Sequence, residues 1–437
     1  MIRVIILSLL ALPIFAQQSI SVDQARELGL ANNAKIKNAR LDVKYAKNQV
    51  RETISMGLPT LNAEFNWQQF LEIPTTLIPA NTFSENASSD EFLELQFGTE
   101  YAATASLRAT QLIFDGSFLV GLRASSIFKK LSQQSLMLTT QQIQDSISSA
   151  YFNVLVAEER KEFLALIVEI HKNVLSEVQA RYEQGMVEDT DVDRMVLTLS
   201  NMRTQSENMN RMTEVAHLFL KLTIGIPLDQ EIILSDSLTG LMNSHDELTL
   251  EEAKVESTLE YMLAETNLQL NKMDVRRIQS MYLPKIEAFG SYSSNAMRNE
   301  FDFTEDGKWY PTKLVGIKAS MNIFSGFSTR LQVQKAKVRL AQSQNDLAHI
   351  NQNLYLKYLN AQSTYLSSVN NQKYKSSSLE LAEKIYFKTM LKYTEGLVSS
   401  VELSQVGVDY TESHQENSQA IYDLLIAKIN YQRTLGK

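Results

Sequence analysis

Along residues 61–68 apolar and polar side chains alternate without a lapse: Leu61, Ala63, Phe65 and Trp67 against Asn62, Glu64, Asn66 and Gln68. A period of two puts the apolar set on one face of a strand and the polar set on the other. Tyr101, Ala103, Ala105, Leu107 and Ala109 alternate likewise with Thr104, Ser106, Arg108 and Thr110. Ile286, Ala288 and Tyr292, then Val315, Ile317, Ala319, Met321 and Ile323, repeat the scheme with more lapses. These runs predict four strands in two hairpins. Each hairpin is entered through Leu-Pro, at Leu58-Pro59 and Leu283-Pro284, and left through matched exits, Ile113-Phe114-Asp115-Gly116 and Ile323-Phe324-Ser325-Gly326. The loops, about 71–97 and 294–312, are long and rich in Asn, Ser, Asp and Pro, as on the outer side of a membrane barrel. The entry and exit offsets differ by about 15 residues, a surplus assigned to the first loop.

Elsewhere the period is 3.6. Ser21-Val-Asp-Gln24 and Thr249-Leu-Glu-Glu252 have capping-box spacing, and each is expected to open a helix. The first should run to about Met56 and stop at a left-handed Gly57; the second should reach about Tyr282. From Ser117 to Gln184, and from Phe327 to Glu395, there is no proline, and Tyr151, Val154, Leu155, Phe163, Ile167, Ile170, Val174 and Val178 recur at three and four. About 68 helical residues make a rod of roughly 100 Å. Each rod ends in a similar turn, RYEQGMV at 181–187 and KYTEGLV at 392–398, about 211 residues apart, followed by a returning helix at about 189–222 and 399–433. Residues 225–247 read as an irregular belt between two repeats. The expected organisation is a signal peptide at 1–16, a first repeat at 17–223, an inter-repeat segment at 224–248 and a second repeat at 249–437.

Composition narrows the function. Gly 15 and Pro 7 in 437 residues leave few helix breakers, and a formal charge of -8 argues against a nucleic-acid partner. MIRVIILSLLALPIFA has the charge, apolar core and small residue of a secretory signal. With no cysteine there is neither a disulfide scaffold nor a lipid attachment after that signal. Downstream, FLALIVEI at 163–170 is the best apolar run, and Glu169 interrupts it. A spanning helix is excluded, so any passage through lipid is by a β-barrel. Four strands are too few to close one, since bacterial barrels start at about eight. The chain must oligomerise.

The order of elements, the paired GMV and GLV turns with an acid six residues after each glycine, the Leu-Pro entries and the Phe-x-Gly exits resemble the TolC family of outer-membrane efflux ducts over the whole mature chain. The resemblance implies a mainly α fold with a membrane β-barrel. A homotrimer would form one 12-stranded barrel, four strands per protomer, above a long antiparallel coiled-coil α-barrel. It implies an outer-membrane location in a Gram-negative bacterium, a periplasmic adaptor docked at the tip and, through it, an inner-membrane pump, in a tripartite efflux or type I secretion system. The family's tip contacts fall on Gly185, Met186, Val187, Gly396, Leu397 and Val398. Its gate falls on Thr190 and Asp191, with Tyr393 as latch tyrosine, Glu402 as an acidic ring, and Gln405 where a second aspartate would stand. The latch arginine is replaced by Val398, and Arg194 is a candidate substitute. Plainer readings are helix-stop glycines and acids placed in first helical turns.

No HExxH, GxxxxGK[ST] or GxSxG is present, and His171, His217, His245, His349 and His414 lack metal spacing, so neither an enzyme nor a metal or cofactor is expected. The histidines read as solvated helix-face residues; Tyr358, Tyr365 and Tyr386 read as helix packing. The competing function is a periplasmic coiled-coil scaffold or adaptor with no membrane barrel.

Overall fold

A computed structural model describes residues 19–82, 92–243, 251–303 and 307–436. The leader at 1–16, Thr249 and His245 lie outside them. The elements in chain order are β1 (Ser19–Ile20), α1 (Val22–Asn32), α2 (Ala34–Ser55), β2 (Thr60–Gln69), β3 (Thr75–Pro79), β4 (Phe92–Gln96), β5 (Tyr101–Phe114) and α3 (Gly116–Glu183). Then follow α4 (Asp189–Ile224), β6 (Ile233–Leu234), α5 (Leu238–Asn243), α6 (Leu259–Gln279), β7 (Lys285–Arg298), β8 (Tyr310–Ser320), α7 (Ser328–Thr394) and α8 (Ser400–Thr434). No described helix is long and apolar enough to cross a membrane.

The chain divides into two compact units, each drawn from both halves of the sequence. One comprises residues 45–130 and 267–344. Its centre is an antiparallel sheet in the order β2-β5-β7-β8, so the second strand of one hairpin pairs with the first strand of the other. Register keeps the alternation coherent across all four strands. Leu61, Ala63, Phe65 and Trp67 stand opposite Ala109, Leu107, Ala105 and Ala103, which stand opposite Gly290, Tyr292, Ser294 and Ala296. On β8, Val315, Ile317 and Ala319 face Gly290, Ala288 and Ile286. Because side chains alternate, one face is mainly apolar and the other carries Asn62, Glu64, Arg108, Ser291 and Lys318. Among the described residues β2 and β8 each pair on one side only, so both sheet edges are open. The first loop holds the extra length and contains the β3–β4 ribbon.

The other unit comprises residues 19–44, 131–266 and 345–436 of the described chain. One core joins Ile147, Tyr151 and Val154 of α3 to Leu220 and Ile224 of α4. A second joins Phe163, Ile167, Val174 and Val178 of α3 to Met195 and Met202 of α4, Tyr386 and Tyr393 of α7, and Leu403 and Tyr410 of α8. The three-and-four spacing on α3 is thus the buried stripe.

Several expectations are corrected. The first helix breaks at Asn33, whose amide donates to Thr223 O at 2.7 Å and whose Oδ1 accepts from Lys35 N at 2.8 Å, closing one helix and opening the next. Gly57 is not left-handed; a Cβ there would meet Phe118 Cζ at 2.7 Å, so close approach is what requires glycine. The second N-terminal helix opens behind Thr258, which accepts from Tyr261 N at 3.4 Å; Glu251 to Lys254 are not helical. Strand β8 ends at Ser320, so Met321 and Ile323 lie beyond it. The exits share a capping role but differ in their glycines. Asp115 accepts from Ser117 N at 2.8 Å and Phe118 N at 3.2 Å, and Ser325 Oγ accepts from Thr329 N at 3.3 Å. Gly116 lies inside α3, whereas Gly326 and Phe327 have φ of 57° and 65°. The belt is partly regular: β1 and β6 pair in parallel, with Tyr151 Oη donating to Ile20 O at 2.8 Å and to Asp236 Oδ2 at 2.9 Å.

Candidate functional site: the two hairpin tips

Both quoted turns adopt one geometry. After α3, Gly185 N donates to Tyr182 O at 2.8 Å and Met186 N to Arg181 O at 2.9 Å; after α7, Gly396 N donates to Tyr393 O at 3.0 Å and Leu397 N to Lys392 O at 2.9 Å. These are two Schellman endings with left-handed glycines, φ 72° and 76°. Among the described residues nothing lies within 4 Å of where either glycine would carry a Cβ, so conformation alone requires them. Met186 and Leu397 follow at 70% and 69% exposure. Val187 and Val398 turn inward onto the core that holds Tyr393 and Leu403. Each tip therefore presents one large apolar side chain and anchors itself with the next.

The gate residues fall at the starts of the returning helices. Asp191 is in the first turn of α4, and its Oδ1 accepts from Ser400 Oγ, a buried hydroxyl at the start of α8. Thr190 is exposed and donates to Glu188 Oε2 at 3.3 Å. Tyr393 is buried, and among the described residues no hydrogen bond joins it to Thr190 or Asp191. Burial, then the Asp191 charge, raises its phenol above the ordinary value. Glu402 is exposed; its N–H donates to the Ser399 cap at 3.2 Å. Gln405 is exposed and donates to Asp409 Oδ1 at 2.8 Å.

Two residues at the tips escaped sequence reasoning. Ser400 takes the Asp191 bond expected of Tyr393. Arg181 takes the basic position proposed for Arg194, which is exposed and has no bond or ion pair among the described residues. From the last turn of α3, Arg181 Nη1 donates to Tyr393 O at 3.3 Å, Nη2 donates to Thr394 O, and Nη2 pairs with Glu177 at 2.6 Å. Those carbonyls end α7, where orphan acceptors and the negative end of the helix dipole attract a cation. A basic residue in a last turn was the available signal; which helix it would cap was not.

Farther along the same helices, His171 and His414 are core residues rather than solvated ones. His171 is 2% exposed beside Tyr386, and His414 stacks on Phe163 with centroids 3.7 Å apart. Both occupy inward positions of helical stripes, His171 four after Ile167 and His414 four after Tyr410. Burial lowers both; for His414 burial and then Arg160 bring the value to about 4. Tyr358, Tyr365 and Tyr386 are buried packing residues.

The family model "Outer membrane efflux protein" matches residues 262–437. Outer membrane protein TolC of Escherichia coli strain K12 is 24% identical over 375 residues, covering 77% of this chain and 69% of TolC. The fold is that of CusC, solved in a study of transmembrane channel formation, with a TM-score of 0.75, 15% identity, and coverage of 95% of this chain and 91% of CusC. It is also that of the open-state MtrE outer membrane channel of Neisseria gonorrhoeae, with a TM-score of 0.72, 13% identity, and coverage of 95% and 88%. By sequence, residues 262–437 match the outer membrane efflux protein family and the chain is similar to TolC, while its fold is shared with outer membrane channels.

Proposed function

We propose that three copies form a gated export duct in the outer membrane of a Gram-negative bacterium, carrying solutes from a periplasmic adaptor and inner-membrane pump to the outside. One observation carries this reading: a four-stranded sheet with one apolar face and both edges open. In lipid an unpaired edge costs several kcal/mol per orphan group, so β8 of one copy meets β2 of the next until twelve strands close. The apolar face then meets lipid and the polar face lines a lumen. An exposed stripe on α4, Met212, Val215, Phe219 and Leu222, supports association of the helical unit as well. A barrel-less scaffold would leave that apolar face in water.

The chain is, on this reading, a duplication, with repeats at 17–223 and 249–437 joined through 224–248. Met186 and Leu397, beside Gly185 and Gly396, are the knobs that meet the adaptor's helices, and Val187 and Val398 set their position. Asp191–Ser400 and Arg181 with the end of α7 hold the mouth shut, Tyr393 packs behind them, and Glu402 faces the opening with Gln405 one turn on. No cofactor, metal or nucleic acid takes part. A cysteine at Met186 or Leu397 carrying a crosslinker, in intact cells, should capture one periplasmic adaptor. Capture equal to that from a cysteine at exposed Tyr374 would reject the tip as the docking site.

A further inference from the structure

On the polar face of the sheet an aromatic ring interrupts the polar pattern. Phe289 stands in register with Thr110 of β5 and Gly316 of β8, where a barrel lumen calls for polar side chains. Two neighbours account for it. A Cβ on Gly316 would lie 2.9 Å from Phe289 Cζ, so the ring rests over bare backbone that only glycine offers. From the other side, Arg108 of β5 holds its guanidinium carbon 5.3 Å from the ring centroid, within cation–π range.

Arg108 has a competing partner. It stands opposite Asn62, and Glu64 is one step along β2. Among the described residues Arg108 forms no ion pair with Glu64, whose Oε1 accepts from Asn66 Nδ2 at 2.7 Å. Nor is any Arg108 N–H engaged by another protein group there. The other charges on this face are matched differently: Lys285 pairs with Glu287 at 2.6 Å, and Lys318 stands opposite Glu287. On this face Arg108 is the cation held over an aromatic ring, and among the described residues its hydrogen-bond donors are free.

We propose that Arg108, set in position by Phe289 over Gly316, is an anion filter in the barrel that selects solutes bearing carboxylate or phosphate groups. This rests on the trimeric duct, in which three guanidinium groups would ring the lumen. A guanidinium keeps its charge and presents a planar fork that matches either anion with two parallel bonds, while the aromatic ring occupies only its face.

The test is the reversal potential of the full-length protein in planar bilayers under a potassium chloride gradient. Arg108→Gln should lower the chloride-to-potassium permeability ratio about twofold near 0.1 M salt and hardly at all near 1 M, where the screening length falls from about 10 Å to about 3 Å. Phe289→Leu, which keeps the charge but releases it, should give an intermediate ratio. Arg108→Lys should keep the ratio and lose most of the current reduction by added citrate, because a lysine cannot form the paired bonds. A conducting Arg108→Gln channel with the original ratio overturns the filter, as does equal citrate block in wild type and Arg108→Lys. A wild-type protein that assembles without conducting refutes the duct itself, and the filter with it.

Discussion

Replacing Arg181 with glutamine removes the cation that α3 places against the last carbonyls of α7. The lost contacts are those to Tyr393 O and Thr394 O and the pair with Glu177. A bond from a charged donor contributes about 1.5–3 kcal/mol, a helix-end charge about 0.3–1 kcal/mol and an i,i+4 ion pair about 0.3–0.5 kcal/mol. The Arg181 side chain is 24% exposed, so water compensates part of the loss. The net cost is about 2 kcal/mol, concentrated where α7 ends. Because each 1.4 kcal/mol is tenfold in an opening equilibrium, amides between Lys392 and Val398 should exchange with solvent about 30-fold faster. Peptides from the core around Tyr151 and Val154 should not change. Hydrogen exchange read by mass spectrometry resolves the two regions. Unchanged exchange at the tip, or equal acceleration along all of α3 and α7, would refute the clamp.

Alanine at Gly185 or Gly396 should cost about 1 kcal/mol each, from the left-handed backbone alone, with asparagine costing less; chemical denaturation of the variants checks the order. Among the described residues Tyr386 Oη is buried without a partner, so Tyr386→Phe should be neutral or stabilising by up to about 1 kcal/mol, and a loss of more than that in the same assay would reveal a bond to this hydroxyl. His414 is held below its unfolded value near 6.5, down to about 4, so its contribution is intact above 6.5 and is lost as pH falls through that window. The loss reaches about 3 kcal/mol, opposed in part by Glu159, which burial raises. His414→Gln should flatten the fall in melting temperature between pH 6.5 and 4.5; an unaltered slope contradicts the assignment.

What the sequence disclosed is what short-range chemistry decides. Pro59 and Pro284 end helices and start strands because their rings admit nothing else, and period-two alternation chose the sheet faces before any pairing was known. Gly185 and Gly396 declared themselves as left-handed stops, and the heptad-like run on α3 marked its buried stripe. What stayed hidden depends on partners remote in sequence. Asn33 breaks a helix because Thr223 offers it a carbonyl, and β1 forms only because β6 arrives beside it. Glycine at 57 looked like a left-handed cap, yet serves the ring of Phe118. The family pattern supplied Tyr393 as a latch; in this chain the neighbouring serine, Ser400, makes the bond to Asp191, a substitution that no local pattern reveals. Likewise, His171 and His414 are polar letters at inward positions of stripes, and the helices that cover them decide their burial.

The central claim is that the sheet's two open edges are closed by copies of the same chain around a lumen. Native mass spectrometry of the protein folded in detergent, with image reconstruction of the same sample, tests it most directly. The account predicts three copies, β8 of each hydrogen-bonded to β2 of the next, around a continuous axial cavity. A folded single copy, or an assembly whose axis is filled, would contradict it.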